Sequence, residues 1–264
     1  MLRTRIVTAL ALLAGFLVVL FVLPKPASAG VFGLLAAVMA WEWAGLMRID
    51  RGGRLVYAGF ILVSCLAAYN QPQFAYPKLW WLSACFWLLL AAPWLWRGWK
   101  MASNDMVGYL VGWLLIVPTW SAMVALQDRN PWWLFAAMAL VWVADIAAYF
   151  AGRAWGRHKL APSISPGKTW EGVGGAVVGV MAYGVGGALV AGISPLAKLV
   201  WAPLLVALTA VSIVGDLFES MIKRQAGVKD SSNLLPGHGG FLDRLDSQTS
   251  TLPLAALILL GLQP

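Results

Sequence analysis

Between charged or proline-containing breaks the chain carries one long apolar run after another. Runs of about 17 to 25 apolar residues are what a helix needs to cross a bilayer. Nine are expected, at approximately 6–23, 27–47, 55–68, 79–96, 106–126, 132–152, 172–193, 198–220 and 241–262. The third is short and the ninth begins with polar residues. A chain of 264 residues that is 61% hydrophobic and 11% charged cannot hide so much apolar surface in a soluble core, so its solvent is lipid. The expected fold is an all-α polytopic membrane protein forming one domain. Its N-terminal spans fill 1–126; the catalytic spans and polar loops fill 127–264.

The first run, behind Arg3 and Arg5 and ahead of Ala27-Ser28-Ala29, imitates a secretory signal. It is long for one, and a retained helix is expected. With the N-terminus in the cytosol, Arg48, Arg51, Arg54, Arg97, Lys100, Arg153, Arg157, Lys159, Lys168, Lys223, Arg224, Lys229 and Arg244 fall inside, and only Lys25, Lys78, Arg129 and Lys198 fall outside. That alternation is what positive-inside sorting predicts. The net charge of +8 then reflects basic loops on an anionic membrane, and no nucleic-acid partner is implied. Tryptophans near span ends, among them Trp80, Trp81, Trp94, Trp96, Trp132 and Trp133, suit interfacial anchors. Glycines in the seventh run suit close helix packing. Cys65 and Cys85 lie in apolar stretches and are expected to stay unpaired.

Polar residues gather in two inside segments, 145–172 and 216–247, which hold most of the 11 acidic residues. Carboxylates at a membrane boundary are costly, so function is their default explanation. On a helix, Asp216, Glu219 or Ser220, and Lys223 share one face, as do Asp243 and Asp246. Asp216, Asp243 and Asp246 stand with Lys223, Arg224, Lys229 and Arg244 in one short stretch. Carboxylate oxygens suit Mg²⁺, and Lys and Arg suit phosphate. The turn Pro236-Gly237-His238-Gly239-Gly240 would bring backbone amides close to an anion. With two histidines and no cysteine near either, a zinc site is not expected. Gly167-Lys168-Thr169 suggests a P-loop, but Pro162 stands where its first glycine belongs. Ser165, Lys168, Thr169 and Glu171 remain as phosphate-facing groups ahead of a glycine-rich helix, or as an ordinary cap.

The run Ser220-Met-Ile-Lys223-Arg224, then Lys229-Asp230, Leu235-Pro236-Gly237-His238-Gly239-Gly240-Phe241 and Asp243-Arg244-Leu245-Asp246, resembles the signature of phosphatidate cytidylyltransferases. Ser165-Pro166-Gly167-Lys168-Thr169, Glu171 and Gly172 are similar to that family's upstream element, with Gly167 where many members carry a second lysine. The resemblance covers the last 120 or so residues well. It implies that CTP and phosphatidate give CDP-diacylglycerol and pyrophosphate with Mg²⁺, a second cation such as K⁺ being left open. It also implies a site facing the cytosol from a bacterial inner membrane, among membrane lipids, and leaves a homodimer open. Asp216, Asp243 and Asp246 are the implied metal ligands, with Lys223, Arg224 and Asp246 catalytic. Ser165, Lys168, Thr169, Lys229, Asp230, His238, Gly239, Gly240 and Arg244 would bind substrate.

Two other readings stay open. A CTP-dependent polyprenol or phytol kinase would move the γ-phosphoryl group instead. A transporter would use Glu42 and Asp145 as intramembrane polar sites, although Glu42 between two tryptophans also suits a helix-paired or interfacial carboxylate.

Overall fold

A computed structural model describes residues 2–101, 106–190 and 195–261. The ends of the seventh and ninth expected runs, and the side chains of Arg3, Arg5 and Lys198, lie outside what is described. In lipid, backbone groups find no partner but one another, so the apolar runs become helices. These are α1 (Leu2–Phe21), α2 (Lys25–Leu46), α3 (Arg51–Asn70), α4 (Pro72–Cys85), α5 (Ala92–Arg97), α6 (Met106–Arg129), α7 (Pro131–Trp155), α8 (Trp170–Val190), α9 (Pro195–Ala226) and α10 (Leu242–Gly261). A π-helical stretch, Phe86–Ala91, joins α4 to α5 in one continuous rod.

Among the described residues, seven of these rods are long and apolar enough to cross a membrane: α2, α3, α4 with α5, α6, α7, α8 and α9. The short third run lengthens to 20 residues because Asp50 caps it, accepting bonds from the N–H groups of Gly52 and Gly53. The eighth extends through Lys223 and Arg224 before Gly227 (φ 79°) ends it. The expectation of an all-α chain needs one amendment. Between α7 and α8 the chain forms an antiparallel hairpin of β1 (Lys159–Ala161) and β2 (Ser165–Thr169). Asp145, expected at the edge of this polar segment, lies within α7.

The centre of the bundle belongs to α10, which packs on α9, α6, α4 and α7. Its residues Ser247 to Thr251 are all buried, and lipid would leave them unsatisfied. Here they bond to neighbours: Gln248 donates to the Met138 carbonyl (3.2 Å) and Ser250 to that of Val211 (2.9 Å). Pro253 has no N–H to offer the Thr249 carbonyl one turn back. That oxygen instead accepts the Trp87 indole N–H (3.2 Å), from the π-helical stretch, and the Thr119 hydroxyl (3.3 Å).

Glycine contacts show where helices come closest. Alanine at Gly175 or Gly179 would drive its methyl into α7, and at Gly215 into Ser250 of α10. Trp80 departs from the anchoring expectation: it is buried and donates to Ser121, whereas Trp81, Trp96 and Trp132 are exposed. Cys65 and Cys85 are free. Thr8 of α1 reaches the Pro236 carbonyl, and Gln225 accepts from the Met101 amide, at one end of the bundle. Lys25 bonds to the Asp128 carbonyl at the other.

Candidate active site

The two polar segments meet at that first end. Lys168, on β2, places its ammonium 2.5 Å from Asp216 on α9, and Arg224 reaches the Ile164 carbonyl in the hairpin turn (3.4 Å). The hairpin holds its shape through a Lys159 bond to the Pro166 carbonyl (2.8 Å) and a His158–Glu171 pair (2.7 Å). Thr169 is buried, and its hydroxyl accepts the Gly172 N–H (3.1 Å), so this residue caps α8. Ser165 is half-buried on the same strand.

On α9 the helical spacing does what the sequence implies. Ser220 donates to Asp216 (3.2 Å), and Lys223 pairs with Glu219 one turn back (3.1 Å). Lys223, 8% exposed, also bonds to Asp243 at 2.7 Å. A buried ammonium between two carboxylates is held by charge from both sides. It ties α9 to the first turn of α10.

Asp243 and Asp246 have different surroundings. Asp243 is heavily engaged: Oδ1 takes Lys223, and Oδ2 accepts the Ser231 N–H (2.9 Å), the Ser231 hydroxyl (3.0 Å) and the Gly240 N–H (2.7 Å). Asp246 is half-buried and, among the described residues, accepts only the N–H of the adjacent Ser247. It interacts electrostatically with Asp216, Asp145 and Lys223. Asp145 on α7 in turn feels Asp216, Lys168 and Arg244. Asp145, Glu219, Asp216, Asp243 and Asp246 therefore face three cations, Lys168, Lys223 and Arg244.

The loop between α9 and α10 folds back on itself, with the Leu235 N–H bonded to the Gly239 carbonyl (2.8 Å) and left-handed backbone at Gly237 (φ 76°) and Gly239 (φ 81°). Lys229 and Asp230 are exposed, and so is Arg244, the third residue of α10. His238 is half-buried, and its Nδ1 has no bonding partner among the described residues. At Gly240 a methyl would collide with the Ser231 hydroxyl and the Glu42 carboxylate. Gly240→Ala is expected to cost roughly 1–3 kcal/mol as overpacking, read as a lower thermal transition of purified protein in detergent, with turnover falling alongside.

Three residues of this region carry more than their sequence pattern suggests. Glu42, from the N-terminal half, is 1% exposed and accepts four hydrogen bonds from the signature loop. Glu219 is buried as the second partner of Lys223, and Asp145 joins the acidic group from a third helix. For Glu219 the i, i+4 spacing to Lys223 was the available signal. For Glu42 and Asp145 it was only a lone carboxylate in an apolar run.

The arrangement gathers carboxylates, lysines and arginines at one end of a lipid-facing bundle, the parts that phosphate chemistry requires. The model of the cytidylyltransferase family matches residues 3–261. The chain is similar to the phosphatidate cytidylyltransferase of Pseudomonas aeruginosa, with 44% identity over 98% of this chain and 97% of that one. It is also similar to the phosphatidate cytidylyltransferases of Haemophilus influenzae (32% identity, 96% of each chain) and Brucella suis (36%, covering 83% of this chain and 72% of the relative). On a match of this extent, the chain belongs to the cytidylyltransferase family.

Proposed function

We propose that this protein transfers the cytidylyl group of CTP to phosphatidate, giving CDP-diacylglycerol and pyrophosphate. A phosphate oxygen of phosphatidate bonds to the α-phosphorus of CTP, and the bond from that phosphorus to the β-phosphate bridging oxygen breaks. The nucleophile is already an anion, so the site's task is to align two repelling phosphates and neutralise them. Lys168, Arg224, Lys229 and Arg244 are the cations that would hold phosphate oxygens, with Ser165, the His238 ring and the Gly239 amide as further donors, while the Gly240 N–H stays with Asp243. Thr169 and Asp230 would shape the two flanks. Lys223 would act from its buried place between Glu219 and Asp243, fixing the start of α10. The observation that carries this reading is the bridge from Lys168 to Asp216, which brings the two polar segments to one place.

Among the described residues no group of three His, Cys, Asp or Glu side chains already stands together as a cation cage. The donor set nevertheless suits a hard divalent ion. Asp216 and Asp246 keep unfilled acceptor positions beside Asp145, and carboxylate oxygens of this kind are what Mg²⁺ takes. In our reading Asp216 and Asp246 hold it, and Asp243 contributes by anchoring Lys223, or as a ligand once it yields one of its four donors. Bound Mg²⁺ would supply charge neutralisation for the phosphates, and a second cation such as K⁺ would add to the same pool.

We place the site on the cytosolic side of a bacterial inner membrane, with all nine rods spanning and the N-terminus inside. Arg48, Arg51, Arg54, Arg97, Lys100, Arg153 and Arg157 crowd the end where the site lies, against Lys25, Lys78 and Arg129 at the other. A homodimer would be compatible with this placement. Purified protein with phosphatidate and Mg²⁺ should put label from α-labelled CTP into lipid. Label entering lipid only from the γ position would make the protein a lipid-alcohol kinase. In sealed vesicles, only those with the cytosolic face outward should use added CTP.

A further inference from the structure

The Glu42 carboxylate lies far from the signature loop in sequence, yet nearly every bond it makes is to that loop. Oε1 accepts the Ser232 hydroxyl (2.6 Å) and the Phe241 N–H (3.1 Å); Oε2 accepts the Leu242 N–H (2.7 Å) and shares with Asp243 the single proton of the Ser231 hydroxyl (3.3 Å). The two amides belong to the entry of α10, where a helix leaves its first N–H groups without internal partners. The two hydroxyls belong to the segment whose Ser231 also holds Asp243. One side chain thus pins both ends of an 11-residue excursion, Ser231 to Phe241, that contains Pro236, His238, Gly239 and Gly240.

The anchor is itself fixed. Glu42 sits in α2 beside Trp43, which is fully buried and donates its indole N–H to the Gly108 carbonyl of α6 at 2.8 Å. That contact fixes the rotation of α2 and with it the direction of the neighbouring carboxylate. The space into which Glu42 projects is open because residue 240 has no side chain. A carboxylate buried in a membrane bundle is expensive unless its acceptors are filled, and here four donors fill them. If α2 needed only a packing residue at this position, an apolar one would serve without that cost.

The geometry points to Glu42 as a positioning residue of the cytidylyl-transfer site: through Ser231, Ser232 and the entry amides of α10, it sets the signature loop and the carboxylate of Asp243. Its catalytic consequence rests on the function proposed above; the anchoring itself does not. Glutamine is a close isostere but cannot replace it. The serine hydroxyls can turn to accept from an amide NH₂, whereas the N–H of Phe241 or of Leu242 is then left facing a donor.

The test compares wild type with Glu42→Gln, and with the milder Ser232→Ala should the first fail to fold. Backbone hydrogen exchange, the kcat and KM for CTP, and the Mg²⁺ concentration giving half-maximal activity are measured on purified protein. Expected are exchange at least ~10-fold faster confined to 228–242, about one kcal/mol or more of local opening by the usual tenfold relation, a fall in kcat well beyond the change in KM, and a raised Mg²⁺ requirement. Wild-type exchange and kcat in folded Glu42→Gln overturn the proposal. Faster exchange spread evenly over α2, α6 and α10 also overturns it, since that is what a merely structural role gives. Localised exchange in Glu42→Gln, together with a wild type that transfers no cytidylyl group, upholds the anchor and removes the proposed reaction.

Discussion

Asp216→Asn and Asp246→Asn are each expected to lower CDP-lipid formation by ~100-fold or more, the scale of losing one preorganised electrostatic group, while the folded protein survives intact. Asp246 receives one bond, from the neighbouring amide, and Asp216 receives Ser220 and the Lys168 ion pair. Asp145, Asp216 and Asp246 repel one another across three helices. Removing one charge relieves that repulsion, so the thermal transition should hold steady or rise. A loss of activity joined to a gain in stability is the mark of groups kept for chemistry. Turnover measured with α-labelled CTP alongside a thermal transition in detergent separates the two effects. Unaltered turnover in both variants would remove these carboxylates from the site.

Lys223→Met is expected to do the opposite, destroying the fold together with the activity. The substitution keeps the length of the side chain but leaves Glu219 and Asp243 buried without their shared cation. Breaking a buried pair costs about 3–5 kcal/mol, enough to deplete folded protein in the membrane. Adding Glu219→Gln should restore part of the stability by removing one stranded charge, without restoring turnover. Asp243→Asn, in contrast, leaves the ammonium its pair with Glu219 but disturbs three loop donors, so its loss of turnover should come with a loosened 227–241 segment. A Lys223→Met protein as stable as wild type would mean that the triad is solvated and the tie between α9 and α10 lies elsewhere.

The apolar runs were enough to place the helical rods, because lipid leaves the backbone only one economical way to satisfy itself. The ends were harder to read. α3 and α9 extend through Arg51, Arg54, Lys223 and Arg224, charged residues that end an apolar run but not a helix. The β1–β2 hairpin has no alternating pattern to announce it; it is set by the pairing of Lys159 with Thr169 and Ala161 with Ser165. Helical spacing puts Asp243 and Asp246 on one face, yet it could not say that four donor bonds would reach one carboxylate and a single adjacent amide the other. That difference comes from the loop folding back over the first turn of α10. Glu42 was harder still: its partners lie about 190 to 200 positions away, and no local pattern encodes such a meeting.

The buried polar belt of α10 also constrains how the protein is made. Asp243, Arg244 and Asp246 open this helix, and Ser247 to Thr251 follow before the apolar stretch begins. Such a segment partitions poorly from the translocation channel into lipid on its own, because its polar side chains would find no partners there. Its partners α4, α6, α7 and α9 all precede it in the chain. The carbonyls of Met138 and Val211 and the side chains of Trp87 and Thr119 that receive it are synthesised first. With the spans we propose, insertion of α10 would be a docking event into a waiting bundle, and the end that carries the candidate site would form only in molecules whose earlier helices have already assembled.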